Sequence, residues 1–246
     1  MKETGDDIII GRNPVIEALK AGREIEKLCV ARGTEGTINK IIKMARDKNV
    51  PVQYVDKRAL DNISQENHQG VAAYVSSYSY CDIEDITERA ESLGEDLFIV
   101  ILDGVEDPHN LGAIMRTAEA AGVHGIIIPK RRAASVNSTA VKVSAGASEH
   151  ILCAKVTNIA QTIDKLKDMG IWIAACDMDG ETYYNSNVKG KIGLVIGGEG
   201  TGIGSLIKQK CDFTVSIPMK GKVNSLNVSN AAAILIYEVR RQRDGK

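Results

Sequence analysis

The chain has 246 residues, with 31 Lys and Arg against 32 Asp and Glu, 43% hydrophobic and 26% charged. That is ordinary globular make-up, with enough apolar side chains for a real core in one large domain or two of unequal size. Only 4% of residues are aromatic and the net charge is -1. This disfavours a platform that stacks a row of bases, and a surface that coats nucleic acid by neutralising many phosphates, while leaving room for a local basic site. The five scattered cysteines (Cys29, Cys81, Cys153, Cys176, Cys211) form no C-x-x-C pair, which suits neither a disulfide framework nor a zinc ribbon and points to a reduced, cytoplasmic compartment. Nothing at the start reads as a signal peptide, and no window approaches the ~18 uncharged apolar residues of a membrane span. A soluble protein is expected.

In chain order, Asn13-Pro14 reads as an N-cap with proline in the first turn of a short helix, VIEALKA, that stops at Gly22. KLCVAR reads as a strand, and TINKIIKMARDKN as a helix with Ile38, Ile41, Ile42 and Ala45 on one face. VPVQYV, a helix DKRALDNIS and a strand GVAAYVSSY complete a small α/β domain over 7–77. The polar, then acidic stretch SSYSYCDIEDITERAESLGED marks a linker, placed at 78–84, running into a short helix. In the second domain, 85–246, the strands DLFIVILDG, GIIIP, ILCAKV, IWIAACD, IGLVIGG and FTVSIP alternate with helices. The helices are NLGAIMRTAEAAG, one around NSTAVKVSAGA, NIAQTIDKLKDMG, IGSLIKQK and a long last one, SLNVSNAAAILIYEVRRQR. Strands written as continuous apolar runs between helices indicate a parallel sheet covered on both faces.

The histidines (His68, His109, His124, His150) lie in separate segments and no carboxylates are clustered at metal spacing, so no bound metal is expected. G-x-S-x-G and G-x-x-x-x-G-K-[ST] are both missing from the sequence, which removes the commonest hydrolase and nucleoside triphosphatase readings. Gly197-Gly198-Glu199-Gly200-Thr201-Gly202-Ile203-Gly204 follows the strand IGLVI, where glycines let a ligand approach the backbone. In an ordinary Rossmann-type methyltransferase that loop follows the first strand, whereas here about 42 residues remain after it, room for one strand and one or two helices. Two further segments share its character. DGVEDPHNLGAIMRTAEAAG sets Asp103, Glu106, Asp107, Pro108, His109 and Asn110 in a loop after a strand, with Arg116 in the second turn of the next helix. IPMKGKVNSLNVS crowds Gly221, Lys222, Ser225 and Asn227 between a strand and the last helix. Three polar loops at strand C-terminal ends of one parallel sheet should converge on one crevice.

DGVEDPHNLGAIMRTAEAAG, LVIGGEGTGI and SIPMKGKVNSLNVSNAAAILIYEVRRQ resemble, in order and spacing, the three motifs of the SpoU (TrmH-type) RNA ribose 2′-O-methyltransferases over the C-terminal ~150 residues. The N-terminal part, with GRNPVIEALKAG and NHQGVAAYV, is similar to the small RNA-binding domain of the RlmB-like subgroup, which methylates a guanosine ribose in large-subunit rRNA. The resemblance implies an α/β SPOUT fold whose parallel sheet carries a deep trefoil knot, which would account for the late glycine loop although knotted folds are rare. It also implies a homodimer whose interface includes the last helix and adjoins the active site. The implied cofactor is S-adenosylmethionine, held by Gly197, Gly198, Gly200, Ile217, Met219 and Leu226, and the implied partner is structured RNA, with no metal and no membrane.

Carried over by motif, the family's asparagine and arginine fall on Asn110 and Arg116, its glutamate on Glu199, and its serine and second asparagine on Ser225 and Asn227. A ribose hydroxyl is a poor nucleophile until its proton leaves. In the family the arginine is held to activate the hydroxyl; since a guanidinium with a pKa above ~12 is an expensive general base, Arg116 is read as binding the adjacent phosphate and steadying the developing alkoxide, oriented by the other four, with proton acceptance by Arg116 itself as the alternative. Each residue also has a plainer reading: Arg116 paired with Glu119 at i+3, Glu199 capping the next helix, Ser225 and Asn227 capping the last one, and His109 as a loop residue. Lys130-Arg131-Arg132, Lys220 with Lys222, and Arg12, Arg23 and Lys27 in the small domain are candidate RNA phosphate contacts. Arg240, Arg241 and Arg243 suit the C-terminal end of the last helix. The rival functions are the same reaction on tRNA and a non-catalytic RNA-binding ribosome-assembly factor.

Overall fold

The computed structural model describes residues 7–21, 23, 25–64, 67–75, 78–222 and 225–245. The chain divides into two compact units, Met1–Ser79 and Tyr80–Lys246. No helix among the described residues is long and apolar enough to cross a membrane.

In the first unit, β1 (Asp7–Ile10), β2 (Ile25–Ala31), β3 (Val52–Val55) and β4 (Val71–Val75) form a sheet of order β1-β4-β2-β3. It is antiparallel around β4 and parallel between β2 and β3. The alternation of β2 divides its side chains between two cores. Leu28 and Val30 meet α1 (Arg12–Lys20) and α2 (Thr37–Asp47) through Val15, Leu19, Ile38, Ile41 and Ala45, while Cys29 and Ala31 meet Leu60 of α3 (Lys57–Ile63). Ile38, Ile41, Ile42 and Ala45 are the buried face of α2, as their spacing predicts.

Two features of this unit depart from the sequence reading. The strand β1 was not anticipated, because four residues carry little periodic signal and their partner β4 lies far along the chain. The helix α1 begins at Arg12, ahead of the expected cap at Asn13: Gly11, at φ 93°, is the N-cap, and the Arg12 N–H donates to Gln69 Oε1 at 3.1 Å. A tertiary acceptor thus replaces a local one, and Pro14 falls within the first turn, where a missing N–H costs nothing. The expected stop, Gly22, lies outside the described residues.

The second unit is a six-stranded sheet of β5 (Phe98–Asp103), β6 (Gly125–Pro129), β7 (Leu152–Val156), β8 (Trp172–Thr182), β9 (Ile192–Gly197) and β10 (Phe213–Ser216). Its order is β10-β8-β9-β5-β6-β7, and every pair is parallel. Before it, α4 (Ile83–Leu93) starts inside the expected linker, because the Asp82 N–H donates to Asp85 Oδ2 at 2.8 Å and closes the first turn. Cys81 already bridges to Ala154 of β7. On one face of the sheet, Ile86 and Ala90 of α4 and Ile163 and Leu166 of α7 (Ile159–Asp168) pack on Ile99, Ile101, Ile127, Ile173 and Val195. The alternate residues Val100 and Leu102 are fully buried on the other side, where α5 (Pro108–Ala120) packs against α6 (Ser138–Ser144) and α9 (Val228–Arg243). A short α8 (Ser205–Lys210) connects β9 to β10.

β8 is longer than its apolar run suggests. Thr214 of β10 pairs with Ala175, but Val215 pairs with Glu181, so residues 176–180 bulge out between consecutive residues of the neighbouring strand. Because all strands run the same way, this bulge and the loops after β5, β6, β9 and β10 gather at one edge of the sheet.

His124, just before β6, is buried, and its Nδ1 accepts the Phe98 N–H at 2.9 Å, while Nε2 stands 3.3 Å from Glu95. Burial holds the imidazole below the ordinary histidine value, and the opposing Glu95 charge does not restore it. The unfolded chain therefore takes up this proton more readily than the folded one, and the contribution of His124 to stability is full above about pH 6.5 and shrinks as pH falls. Thermal unfolding midpoints measured from pH 8 to pH 5 should drop less steeply for His124→Asn, which keeps an acceptor for Phe98, than for the wild type.

Candidate active site

The loop after β5 is shaped by its own helix start. Asp107 caps α5, its Oδ1 accepting the His109 N–H at 2.9 Å with Pro108 in the first helical position, and this hydrogen bond holds the Asp107 carboxyl below the usual carboxylate range. Asn110 consequently sits buried in the first turn. The loop after β9 folds directly onto this segment: the Gly198 N–H donates to the Asp103 carbonyl at 2.7 Å, and the Gly204 N–H to Asp103 Oδ2 at 2.8 Å. A Cβ on Gly198 would fall on the Gly104 carbonyl, and one on Gly197 on the Gly202 backbone. Glycine is required at these two positions by space.

This contact delivers Glu199 to Asn110. Glu199 Oε1 accepts from Asn110 Nδ2 at 3.1 Å and from Asn227 Nδ2 at 2.9 Å, and Asn227 Nδ2 also donates to Asn110 Oδ1 at 2.9 Å. Asn227 does more than cap α9: its Oδ1 accepts from the Ser229 N–H at 3.0 Å and from Ser229 Oγ at 2.6 Å, while its amide faces the carboxylate. Glu199 is no helix cap, since the N-cap of α8 is Gly204 and no side chain caps that helix.

Beside this triangle lies a cavity of about 600 Å³, within the size range of small-molecule sites. Its wall contains all six residues expected to hold a cofactor, Gly197, Gly198, Gly200, Ile217, Met219 and Leu226, together with Glu199, Ser225 and Asn227. Ser225 is exposed to the cavity side. The wall also includes Cys176, Asp177 and Met178 of the β8 bulge, which the sequence reading passed over; the run D-M-D-G directly after an apolar strand was the available signal. Burial keeps the Cys176 thiol far above its ordinary range, so it stands there as a neutral, weakly polar group.

Arg116 is not in the wall. It is exposed on α5, about 9 Å further along the helix than Asn110 and on a different side, and it makes neither a hydrogen bond nor an ion pair with any described residue, Glu119 included. His109 is exposed and faces Asp107 at 3.1 Å. Among the basic residues, Lys130, Arg131 and Arg132 are exposed in the loop after β6, and Lys220 and Lys222 are exposed ahead of α9. In the first unit Arg23 is exposed, and Arg12 donates through Nε to the Gln69 carbonyl at 3.0 Å. Arg240 pairs with Asp244, Arg241 with Glu238, and Arg243 donates to the carbonyls of Asp96, Leu97 and Gly190. Among the described residues no group of three or more His, Cys, Asp or Glu could hold a metal ion.

Residues 97–237 match the model of the SpoU rRNA Methylase family, and residues 8–81 match that of the RNA 2′-O ribose methyltransferase substrate-binding domain. The chain belongs to the SpoU family. It is an RNA 2′-O-ribose methyltransferase. It is similar to the Bacillus subtilis protein YacO, named for the TrmH family of tRNA/rRNA methyltransferases, with 47% identity over 97% of this chain and 96% of that one. Its fold is similar to the SpoU methyltransferase AviRb from Streptomyces viridochromogenes, solved in complex with AdoMet, with TM-score 0.63 and 26% identity over 98% of this chain and 92% of that one. It is also similar to the A. aeolicus TrmH/SpoU tRNA modifying enzyme, with TM-score 0.57 and 29% identity, over 65% of this chain and 85% of that one.

The double use of Asn227 can be separated by substitution within this SpoU site. Asn227→Ala should lower the free energy of unfolding by about 1 to 2 kcal/mol, whereas Asn227→Ser, which keeps a capping oxygen, should retain most of that stability. Urea unfolding of the two variants reads the difference; equal losses would assign the stabilisation to the Glu199 contacts and not to the cap.

Proposed function

We propose that this enzyme transfers a methyl group from S-adenosylmethionine to the ribose 2′-hydroxyl of a guanosine in large-subunit rRNA. The observation that carries the reading is the Asn110–Glu199–Asn227 triangle at the edge of a cavity with mixed walls. The cavity fits such a cofactor: Ile196, Val215, Ile217, Leu226 and Leu235 supply apolar surface, and the glycines of 197–202 leave backbone groups open to a polar ligand. Ile217, Met219 and Leu226 would hold the adenine, and Gly197, Gly198 and Gly200 the part nearer Glu199. When bound, the cofactor supplies an electrophilic methyl group on a sulfonium.

The chain's own groups must then orient the hydroxyl and receive its charge. Both amides converge on Oε1 of Glu199, and no hydrogen bond to Oε2 is made by the described residues, so one carboxylate oxygen is available to a cation. Arg116 is that cation: it binds the phosphate next to the target and steadies the alkoxide, with Asn110, Glu199, Ser225 and Asn227 fixing its orientation. Since one chain sets Arg116 apart from the triangle, this reading requires a homodimer in which the second copy brings the two together.

The substrate class rests on the N-terminal unit. The tRNA-modifying neighbour is matched over 65% of this chain and AviRb over 98%, and the difference is about the size of the unit that matches a substrate-binding domain. That unit supports a large structured RNA, and guanosine follows from the RlmB-like subgroup that the motifs resemble. The exposed cations at 130–132 and at 220 and 222, on the site's edge of the sheet, suit phosphate contacts.

Purified protein, labelled S-adenosylmethionine, and either protein-free large-subunit rRNA or bulk tRNA lacking the modification, followed by nucleoside analysis, test the reading. Label should appear in 2′-O-methylguanosine from rRNA; label confined to tRNA would overturn the substrate. Arg116→Ala should lower turnover at least ~100-fold while its affinity for S-adenosylmethionine stays within about twofold, read by equilibrium dialysis. A near wild-type rate would remove Arg116 from the chemistry.

A further inference from the structure

The bulge in β8 has a specific consequence for the cavity. Bulges commonly re-aim a side chain beside a site, and here the displaced residues Cys176, Asp177 and Met178 all reach the wall. Asp177 is held in two places: its Oδ2 accepts from Lys208 Nζ at 2.8 Å, and its Oδ1 from the Met178 N–H at 2.7 Å. Lys208 is in turn shared with Asp179, so the α8 ammonium fixes the bulge against the helix that ends the glycine loop. The Asp177 side chain remains 28% exposed, and each carboxylate oxygen can accept a second hydrogen bond. Asp177 and Glu199 are the two carboxylates in the wall; Oε1 of Glu199 is occupied by Asn110 and Asn227, and its Oε2 is the oxygen assigned above to Arg116.

Strand order says which part of the ligand meets Asp177. Across the sheet the order is β10-β8-β9. Ile217 and Met219 follow β10, and Glu199 follows β9. An S-adenosylmethionine molecule with its adenine at the first and its sulfonium at the second must lay its ribose, which joins the two, across the end of β8. We infer that the carboxylate of Asp177, braced by Lys208, accepts hydrogen bonds from the ribose hydroxyls of the cofactor. This rests on the cofactor reading above and names a contact within it.

The test uses S-adenosylhomocysteine and 5′-methylthioadenosine, which share the ribose but differ in the aminoacyl group. Calorimetric titration of the full-length protein should show Asp177→Asn weakening both ligands by about tenfold. Weakening of S-adenosylhomocysteine alone would overturn the inference by assigning Asp177 to the ammonium of the aminoacyl group, and no weakening of either would overturn it outright. Wild-type protein that bound neither ligand would overturn the cofactor reading itself, a separate failure. Should Asp177→Asn not fold, wild-type affinity for 5′-methylthioadenosine against its 2′-deoxy counterpart reads the same contact: a loss near tenfold is expected, and equal affinities overturn the inference.

Discussion

Two side-chain amides, on Asn110 and Asn227, donate to the same oxygen of Glu199, and the rest of the site is arranged so that they can. Hydrogen bonds to a charged group are worth more than neutral ones, on the order of 1.5 to 3 kcal/mol each, and they reinforce one another in a partly buried setting. If the carboxylate swung away, Asn110 Nδ2 would lose its Glu199 acceptor and Asn227 Nδ2 would keep only Asn110 Oδ1. Asn227 is itself immobilised by capping α9, and Asn110 by its burial in the first turn of α5, so the orientation of Glu199 is inherited from two helix starts.

That arrangement depends on a close backbone approach. The loops after β5 and β9 touch at Gly104 and Gly198 with no room for a side chain, and Asp103 accepts from the amides on both sides of the turn. The parallel sheet makes this possible, because it sends every crossover connection back to the same edge. With β10, β8 and β9 adjacent, the ends of three strands form a continuous floor beside the triangle, and the β8 bulge closes it on the side that apolar patterning leaves unmarked.

Charge is divided between structure and recognition in a way that its sum hides. The near-neutral chain uses the arginines of its last turn to close the fold: Arg240 and Arg241 are ion-paired, and Arg243 gathers three carbonyls from two separate segments. Lys208 and Lys210 are bound to aspartates. Arg12 is likewise engaged in knitting its loop to Gln69. Exposed cations also stand in the loop after β6, at 130–132, and ahead of α9, at 220 and 222, at the edge of the sheet where a phosphate backbone could meet them.

Much of this was legible in the residues. The Ile38-Ile41-Ile42-Ala45 face of α2, the apolar run of β5 and the three polar loops at strand ends are local patterns, and hydrophobic periodicity acts over a few residues; α5, by contrast, starts at Pro108, inside the stretch read as loop. The motif residues were carried over from the family resemblance, and the structure brings those of the glycine loop and of the segment before α9 to the wall of one cavity. What the tertiary structure decided lies between distant positions: the pairing of β1 with β4, the early start of α1 on Gln69, the bulge of β8 against β10, and the separation of Arg116 from Asn110. The hydrogen bond from Asn110 to Glu199 spans 89 positions and that from Asn227 to Asn110 spans 117. Such contacts depend on strand order and register, and no local pattern specifies these, because pairing is settled by which distant partners together bury the most apolar surface and satisfy the most backbone.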